Sequence, residues 1–476
     1  MPGVIITTSA RSGATPSEPN ASGQAFIVGL AERGSATDAV LVRGLADFEA
    51  KFGGRVSYSF LHDTVKTFFD EGGTQAYIAR VVGAAATTGK VSVNSSDDTP
   101  VPTMEINASA PGAWSDGLSI VVEEGALSDS VNIGVDLNGQ RVRTYTSLLS
   151  LDQAIGRINT DGTYITARDL GATSRSLPAV GTYEVTAGTD DRASIAASDH
   201  AKALDRFSDT MGDGAVFAVD TTAINADLIA HAEKNNRIAL LFNENKEAGI
   251  ADLDTLPDSD AAGMFFPWIR VGDNGGSVRD VPPVGYVAGV RNRAHTQVGS
   301  WRPPAGEIAA SRAIVGLTRE YSREEADLLD EARISVIRRI AGTVRLYGWR
   351  SLSTDVDNFG YLNARDLLNR VVVESSRRLE QFVFAPVDSK GQLLSTINSE
   401  LVGILEPIRL AGGLYALTNE EGEEVDDGYL VDTSNAVNTR DSLSRNEVNA
   451  RVSLRVSPIG ALIMLEITKV GLRQAL

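Results

Sequence analysis

Residues 282–317 read PPVGYVAGVRNRAHTQVGSWRPPAGEIAASRAIVGL, and the interpretation of the chain turns on this stretch. It opens on Pro282-Pro283, crosses Gly285, Tyr286 and Ala288-Gly289, and runs through Gly299-Ser300-Trp301 into Pro303-Pro304-Ala305-Gly306. Proline fixes φ and removes an amide donor, and glycine admits conformations that other residues avoid. A shaped, non-repetitive backbone is therefore expected, with Trp301 as a large apolar anchor. His295 has no acidic or nucleophilic neighbour in the sequence, so nothing here resembles a catalytic centre.

Upstream, the order of elements is that of an α/β domain. QAFIVG (24–29) reads as a buried strand, AVLVR (39–43) as a second, and AYIARVV (76–82) as a third. Between the last two, YSFLHDTVKTFFD (58–70) has apolar residues at helical spacing, and Gly72-Gly73 stops it. The region 84–199 changes texture towards Ser, Thr, Gly and Asp. Asn138-Gly139 there separates two alternating runs, a strong hairpin signal, so a mostly β insertion is expected. From 200 the α/β pattern resumes: helix over 202–211, strand 215–219, helix 223–233, strand 238–242.

No chemistry accompanies this pattern. Gly83 to Lys90 is a near miss to a phosphate loop, with five residues between its glycines and Val91 where Ser or Thr should bind magnesium. The four histidines (62, 200, 231, 295) lie in no metal motif, and there is no nucleophile elbow. His231 is expected at a helix surface or cap. With no cysteine, disulfides, thiolate catalysis and cysteine-bound metal are excluded. The 476 residues predict two to four domains. A net charge of −18 argues against binding nucleic acid or an anionic membrane through the protein's own field. The start of the chain lacks signal-peptide architecture, and no apolar run approaches a membrane span.

At the ends, GVIITTS (3–9) is a short β-rich run joined to the rest by a linker-like segment, 10–23. Ser322-Arg-Glu-Glu325 is a capping box that opens a helix expected to reach about Ile340, followed by a strand-like run, 344–349. A helix over 364–384 is expected to bury Leu368, Val371, Val372, Ser375, Leu379, Phe382 and Val383, leaving Arg370, Glu374, Arg377 and Arg378 opposite. From Arg333 to Arg378 there are nine arginines and four acids, a local +5 in an acidic chain. Alternation over 448–456 and an apolar run over 459–470 predict the last strands. The acidic run at 420–427 reads as a solvated loop.

Several segments resemble contractile tail sheath proteins of bacteriophages and phage-tail-like particles. These are AFIVGLAERG (25–34), LADFEAKFGG (45–54), FFDEGGTQAYIARVV (68–82), the glycine-tyrosine and tryptophan-proline signature within 282–317, GTVRLYGWRSLS (342–353) and 361–414. Ser300 stands where that family has an apolar residue, and Gly460-Ala461-Leu462-Ile463 stands where it has P-A-E-F-I. The resemblance implies a discontinuous, subtilisin-like α/β domain (23–83 plus 200–317) with the mostly β insertion 84–199. An α+β C-terminal domain (318–445), an N-terminal arm and linker (1–22) and C-terminal strands (446–476) complete the implied organisation.

It also implies a structural protein without enzymatic activity or cofactor. Such a protein polymerises as hexameric rings around an inner tail tube, meets baseplate and tail terminator proteins, and contracts to drive the tube through a cell envelope. Its place would be the tail of the particle, after assembly in the host cytoplasm. Val4, Ile5 and Ile6 would pair with Ile463, Leu465 and Ile467 of neighbouring subunits, and Arg370, Arg377 and Arg378 would face the tube. A type VI secretion sheath or an extracellular contractile injection system is the alternative assembly. An α/β hydrolase with a β accessory domain is the rival class.

Overall fold

The computed structural model describes residues 7–8, 11–12, 23–253, 256–272 and 276–461. The arm residues Val4, Ile5 and Ile6 and the C-terminal Ile463, Leu465 and Ile467 lie outside them. Near the N-terminus, β1 (Thr7–Thr8) and β2 (Arg11–Ser12) pair antiparallel.

An eight-stranded sheet follows. Its strands are β3 (Gln24–Gly29), β4 (Val40–Val42) and β5 (Gln75–Arg80) from the first segment. After the insertion come β13 (Ala215–Ala218), β14 (Ile238–Leu241), β15 (Ala262–Phe266), β19 (Ile334–Ile340) and β20 (Thr343–Leu346). Their order in space is β20-β19-β15-β14-β13-β3-β5-β4, parallel throughout except at the two edges. Every residue of β3, β13, β14 and β15 is buried, which explains why these strands read as continuous apolar runs. Successive side chains alternate between two cores. Ala25, Ile27 and Phe217 point to one and Phe26, Val28 and Val216 to the other.

The first core is covered by α1 (Leu45–Phe52), α2 (Leu61–Asp70) and α6 (Val284–Gln297). The second is covered by α4 (Ala197–Leu204), α5 (Asn225–Lys234) and α7 (Arg323–Glu331). A small three-stranded sheet, β17-β16-β18, is formed by β16 (Ile269–Gly272), β17 (Val278–Val281) and β18 (Ile314–Leu317).

The insertion has its own core. It holds β6 (Lys90–Asn94), β7 (Pro102–Ala108), β8 (Leu118–Glu124), β9 (Val131–Leu137), β10 (Gln140–Leu148), α3 (Leu151–Asp161), β11 (Ile165–Asp169) and β12 (Gly181–Glu184). These strands form antiparallel sheets ordered β10-β9-β8-β12 and β11-β7-β6. Asn138 and Gly139, both at positive φ, make the β9–β10 turn as expected.

Four expectations need correction. Residues 284–297 are not irregular but a helix, α6, buried over every residue from Val284 to Ala294. The capping box is present, with Ser322 accepting from the Glu325 amide and Glu325 reaching back to Ser322, but α7 ends at Glu331. Arg333 turns the chain at φ 66°, and the β-branched run that follows joins the sheet as β19. The helix expected over 202–211 lies earlier, as α4. The stretch 318–445, read as a separate domain, contributes β19 and β20 to the large sheet, and the smaller unit begins at residue 381.

α8 (Val356–Phe359) and α9 (Leu362–Leu379) close the larger unit; α9 stops short of the expected Phe384. The smaller unit contains α10 (Gln392–Leu410), the hairpin β21 (Leu417–Thr418) and β22 (Glu424–Asp426), then β23 (Tyr429–Asp432), α11 (Arg440–Ser444) and β24 (Arg451–Leu454). β23 pairs antiparallel with β24, and Ile397, Leu401, Ile404 and Leu405 of α10 supply buried apolar residues.

Candidate functional site

The chemistry of the larger unit is concentrated on α6. Gly285 and Gly289 lie one turn apart and face α2. A Cβ at Gly285 would stand 2.6 Å from the Thr64 carbonyl oxygen, and one at Gly289 would stand 2.7 Å from that of Phe68. Only glycine permits so close a crossing. The sequence signature therefore marks a helix–helix contact. Tyr286, fully buried, donates its hydroxyl to the Ala309 carbonyl at 2.5 Å and accepts the Leu346 amide at 2.8 Å, tying α6 to β20. Burial pushes its ionisation far up, so it remains a neutral donor.

One turn on, three arginine and histidine side chains enter the interior. Arg293 donates to Glu71 Oε2 at 3.2 Å and to the carbonyls of Glu71, Ile308 and Ala310. The other Glu71 oxygen accepts from the Ser311 hydroxyl (2.7 Å) and the amides of Arg312 (2.8 Å) and Ala313 (3.0 Å). Glu71 and Arg293 thus fasten the 308–313 segment to α2 and α6. Arg291 reaches Asp366 Oδ1 of α9 through Nε (3.1 Å) and Nη2 (2.6 Å), with His295 Nε2 3.5 Å from Asp366 Oδ2. His295 therefore does have an acidic neighbour, brought to it by α9. Burial and Arg291 hold its imidazole below the ordinary range and neutral at pH 7. Burial raises the Asp366 carboxyl, but Arg291 and His295 outweigh it and leave the group below its usual value.

This is a bolt between helices, with nothing arranged to attack a substrate. Removing one partner of a buried pair strands the other charge, at a cost of about 3–5 kcal/mol.

The basic face of α9 is less bare than its sequence suggests. Arg370 pairs with Glu374 (2.6 Å) and lies 3.8 Å from the buried Asp213, and Arg377 pairs with Glu374 (2.5 Å). Arg378 is half-buried. Burial drives the Asp213 carboxyl upward despite Arg370. The expected burial of Val371, Val372 and Ser375 is present, but Arg365, Asp366, Asn369 and Val373 are buried too, so α9 is covered almost all round. Trp301 is only half-buried. The aromatic anchor is Trp349, 1% exposed and against Phe265. His231 is also not a surface cap: it faces the Arg237 guanidinium at 2.7 Å, and burial lowers its pKa to about 3.

The crevice where a doubly wound sheet binds nucleotides lies at the carboxyl ends of β3 and β13, where the strand order reverses. Here it is filled by the protein. The Asp220 carboxylate accepts the Leu30 amide (2.8 Å), the Phe60 amide at the start of α2 (2.8 Å) and the Ser59 hydroxyl (2.9 Å). The donors that would hold a phosphate are thus satisfied by an internal anion.

No family model matches the chain, and no curated protein matches it in sequence. Solved structures do. A sheath tail protein from Listeria innocua aligns with a TM-score of 0.62 at 14% identity, over 88% of this chain and 90% of that one. The chain has the fold of the contractile sheath proteins. The sheath of an extracellular contractile injection system (PVC) in its contracted state aligns at 0.58 and 15% identity, over 99% of this chain and 98% of that one. The contracted helical sheath of the anti-feeding prophage aligns at 0.57 and 14%, over 98% and 99%. All three neighbours of this sheath-fold chain are described as sheath components, and none as an enzyme.

Proposed function

We propose that the chain is the subunit of a contractile sheath. It would polymerise as hexameric rings around an inner tube, meet baseplate and terminator proteins at the ends, and contract to drive the tube through a target envelope. The observation that carries this reading is the likeness to contracted sheaths over essentially the whole of both chains, insertion and C-terminal unit included. The interior supports it. The Arg291–Asp366 and Arg293–Glu71 pairs bind three helices and a loop into one stiff body, as a subunit that moves rigidly within a lattice requires. The filled crevice at Asp220 agrees with a process that consumes no nucleotide.

In this reading the N-terminal arm, Val4 to Ile6, and the C-terminal run containing Ile463, Leu465 and Ile467 complete sheets between neighbours. Arg370, Arg377 and Arg378 would lie towards an acidic tube, Arg370 while also lying 3.8 Å from the buried Asp213. Near-complete matching to injection-system sheaths favours such a particle beside a phage tail as the setting. The deciding experiment is negative-stain imaging of the purified full-length chain, with and without its co-expressed tube protein. Tubes or stacked rings are expected, and a persistently monomeric protein would refute the reading.

A further inference from the structure

We infer that the insertion is a separately folding lobe, held against the large sheet by a polar latch of Arg33 and Arg80. When that latch opens, the lobe is free to turn about its two connecting segments. Its core, from Val93 to Val185, shares no side chain with the two cores of the sheet. Two segments join it to the sheet, 81–89 after β5 and 185–196 after β12. They run side by side as a narrow antiparallel ribbon. Thr87 and Thr189 exchange amide–carbonyl bonds of 2.8 and 3.0 Å, and the Gly83 amide donates to the Asp190 carbonyl at 2.9 Å. A two-stranded ribbon is only marginally stable on its own, so it is a weak determinant of orientation.

Orientation is set instead where loop 31–34 beside the sheet meets turn 110–114 of the insertion. Arg80, at the end of β5 and fully buried, donates to the carbonyls of Ala31 (3.0 Å), Glu32 (3.3 Å) and Gly34 (3.0 Å) on one side. On the other it donates to the carbonyl of Pro111 at 2.8 Å. Burial lowers its pKa to about 10, so it still carries its charge at pH 7. Gly112, at φ 138°, lets the turn approach: a Cβ there would stand 3.1 Å from Arg80 Nη2 and 3.3 Å from the Glu32 carbonyl oxygen. Arg33 enters from the same loop, 4.8 Å from the Tyr164 ring and 6.0 Å from the Trp114 ring, both of which pack on the insertion core. Its Nη2 donates to the Glu49 carbonyl at 2.9 Å.

This contact is polar and stacked, with no shared apolar core, and for interfaces of that kind domain motion is the default. Arg33 Nε and Nη1 are buried without a hydrogen-bond partner among the described residues, so water satisfies them better than the closed latch does. Opening gives the Pro111 carbonyl and the Arg33 guanidinium to water, while Arg80 keeps the three carbonyls of its own loop. No buried charge is stranded. The Arg291–Asp366 and Arg293–Glu71 pairs differ, because each charge there depends on a partner inside the fold. The α/β body is thus bolted and the insertion is latched, whether or not the chain builds a sheath.

The test uses the full chain, whose lack of cysteine lets nitroxide labels be placed at will. One goes on Leu127→Cys in the exposed β8–β9 loop and one on Lys234→Cys at the exposed end of α5. Double electron–electron resonance reads the distance between them. With the latch residues intact, one narrow distribution is expected. Arg33→Gln removes the guanidinium, and Tyr164→Leu keeps the apolar packing but removes the ring face. Each should broaden the distribution about twofold or add a second distance. Amide exchange should quicken over 110–114 while that of β3, β8, β9 and β13 is unchanged. The inference is overturned if the intact latch already gives a broad distribution, or if either substitution leaves it narrow. It is equally overturned if broadening comes only with faster exchange throughout β8 and β9, since the insertion would then be unfolding instead of turning.

Discussion

Gly285→Ala tests the role of α6 through the sign of its effect. In an ordinary helix interior, alanine for glycine adds about 0.5–1 kcal/mol of stability by restricting the unfolded chain. At this position the new Cβ would stand 2.6 Å from the Thr64 carbonyl oxygen and 2.7 Å from Thr64 Cγ2, where ordinary contact begins at 3.4 Å. The first obstacle is backbone, so α2 and α6 must part by about 0.8 Å at this point. Overpacking of this kind costs roughly 1–3 kcal/mol. Subtracting the propensity gain leaves a net loss of about 0–2.5 kcal/mol, or a fall of roughly 0–3 °C in midpoint for a unit of this size. The assay is thermal and urea unfolding of the purified chain beside Gly156→Ala in α3, where a Cβ meets nothing and the same exchange should stabilise. Gly289→Ala should behave like Gly285→Ala, and the double variant should lose less than the sum, because one separation of the helices relieves both contacts. If Gly285→Ala is as stable as Gly156→Ala, the glycines do not set the crossing and α6 does not fasten the unit through them.

The buried Asp213 supplies a pH test. Its folded pKa is raised by burial, so its charge costs stability above that pKa, and the cost fades as pH falls through it. Asp213→Asn should therefore be more stable than wild type at pH 8 and converge with it towards pH 4 in urea unfolding; a difference independent of pH would contradict this. Asp220→Ala should orphan the Leu30 and Phe60 amides and lose roughly 2–4 kcal/mol, and neither ATP nor NAD should raise the midpoint of wild type. Arg377→Glu with Arg378→Glu should weaken co-assembly with the tube protein in pull-downs, increasingly so at low salt, while circular dichroism is unchanged. Deleting residues 1–20 should leave a folded monomer that forms no long sheaths by negative stain; full-length contractile tubes from the truncated protein would dismiss the arm.

Local signals were legible in the sequence because their physics is local. The apolar run Ala25 to Val28 in QAFIVG specifies a strand buried on both faces, Asn138-Gly139 fixes a tight turn, and Ser322 with Glu325 fixes a helix start. The segments resembling sheath proteins pointed to the fold that the solved structures display. Residues 284–297 misled because their prolines and glycines suggest loop and their apolar residues form no single stripe. The stretch is helical because neighbours cover it on every side, which no periodicity within it encodes. Ile334–Ile340 continued a helical pattern, yet an open place beside β15 made it a strand.

The pairs that matter most join distant positions: Arg291 to Asp366 across 75 residues, Arg293 to Glu71 across 222, Asp220 to Leu30 across 190. A buried charge is tolerated only where the fold delivers its partner, and the sequence contains both members without stating that they meet. Composition and local pattern thus determined most of the elements, though not α6 or β19, together with the β-rich insertion and the absence of cysteine chemistry. The tertiary structure decided which helix is central, which charges are locked inside, and that the crevice of the sheet is closed by its own aspartate, because each depends on long-range packing that local sequence cannot carry.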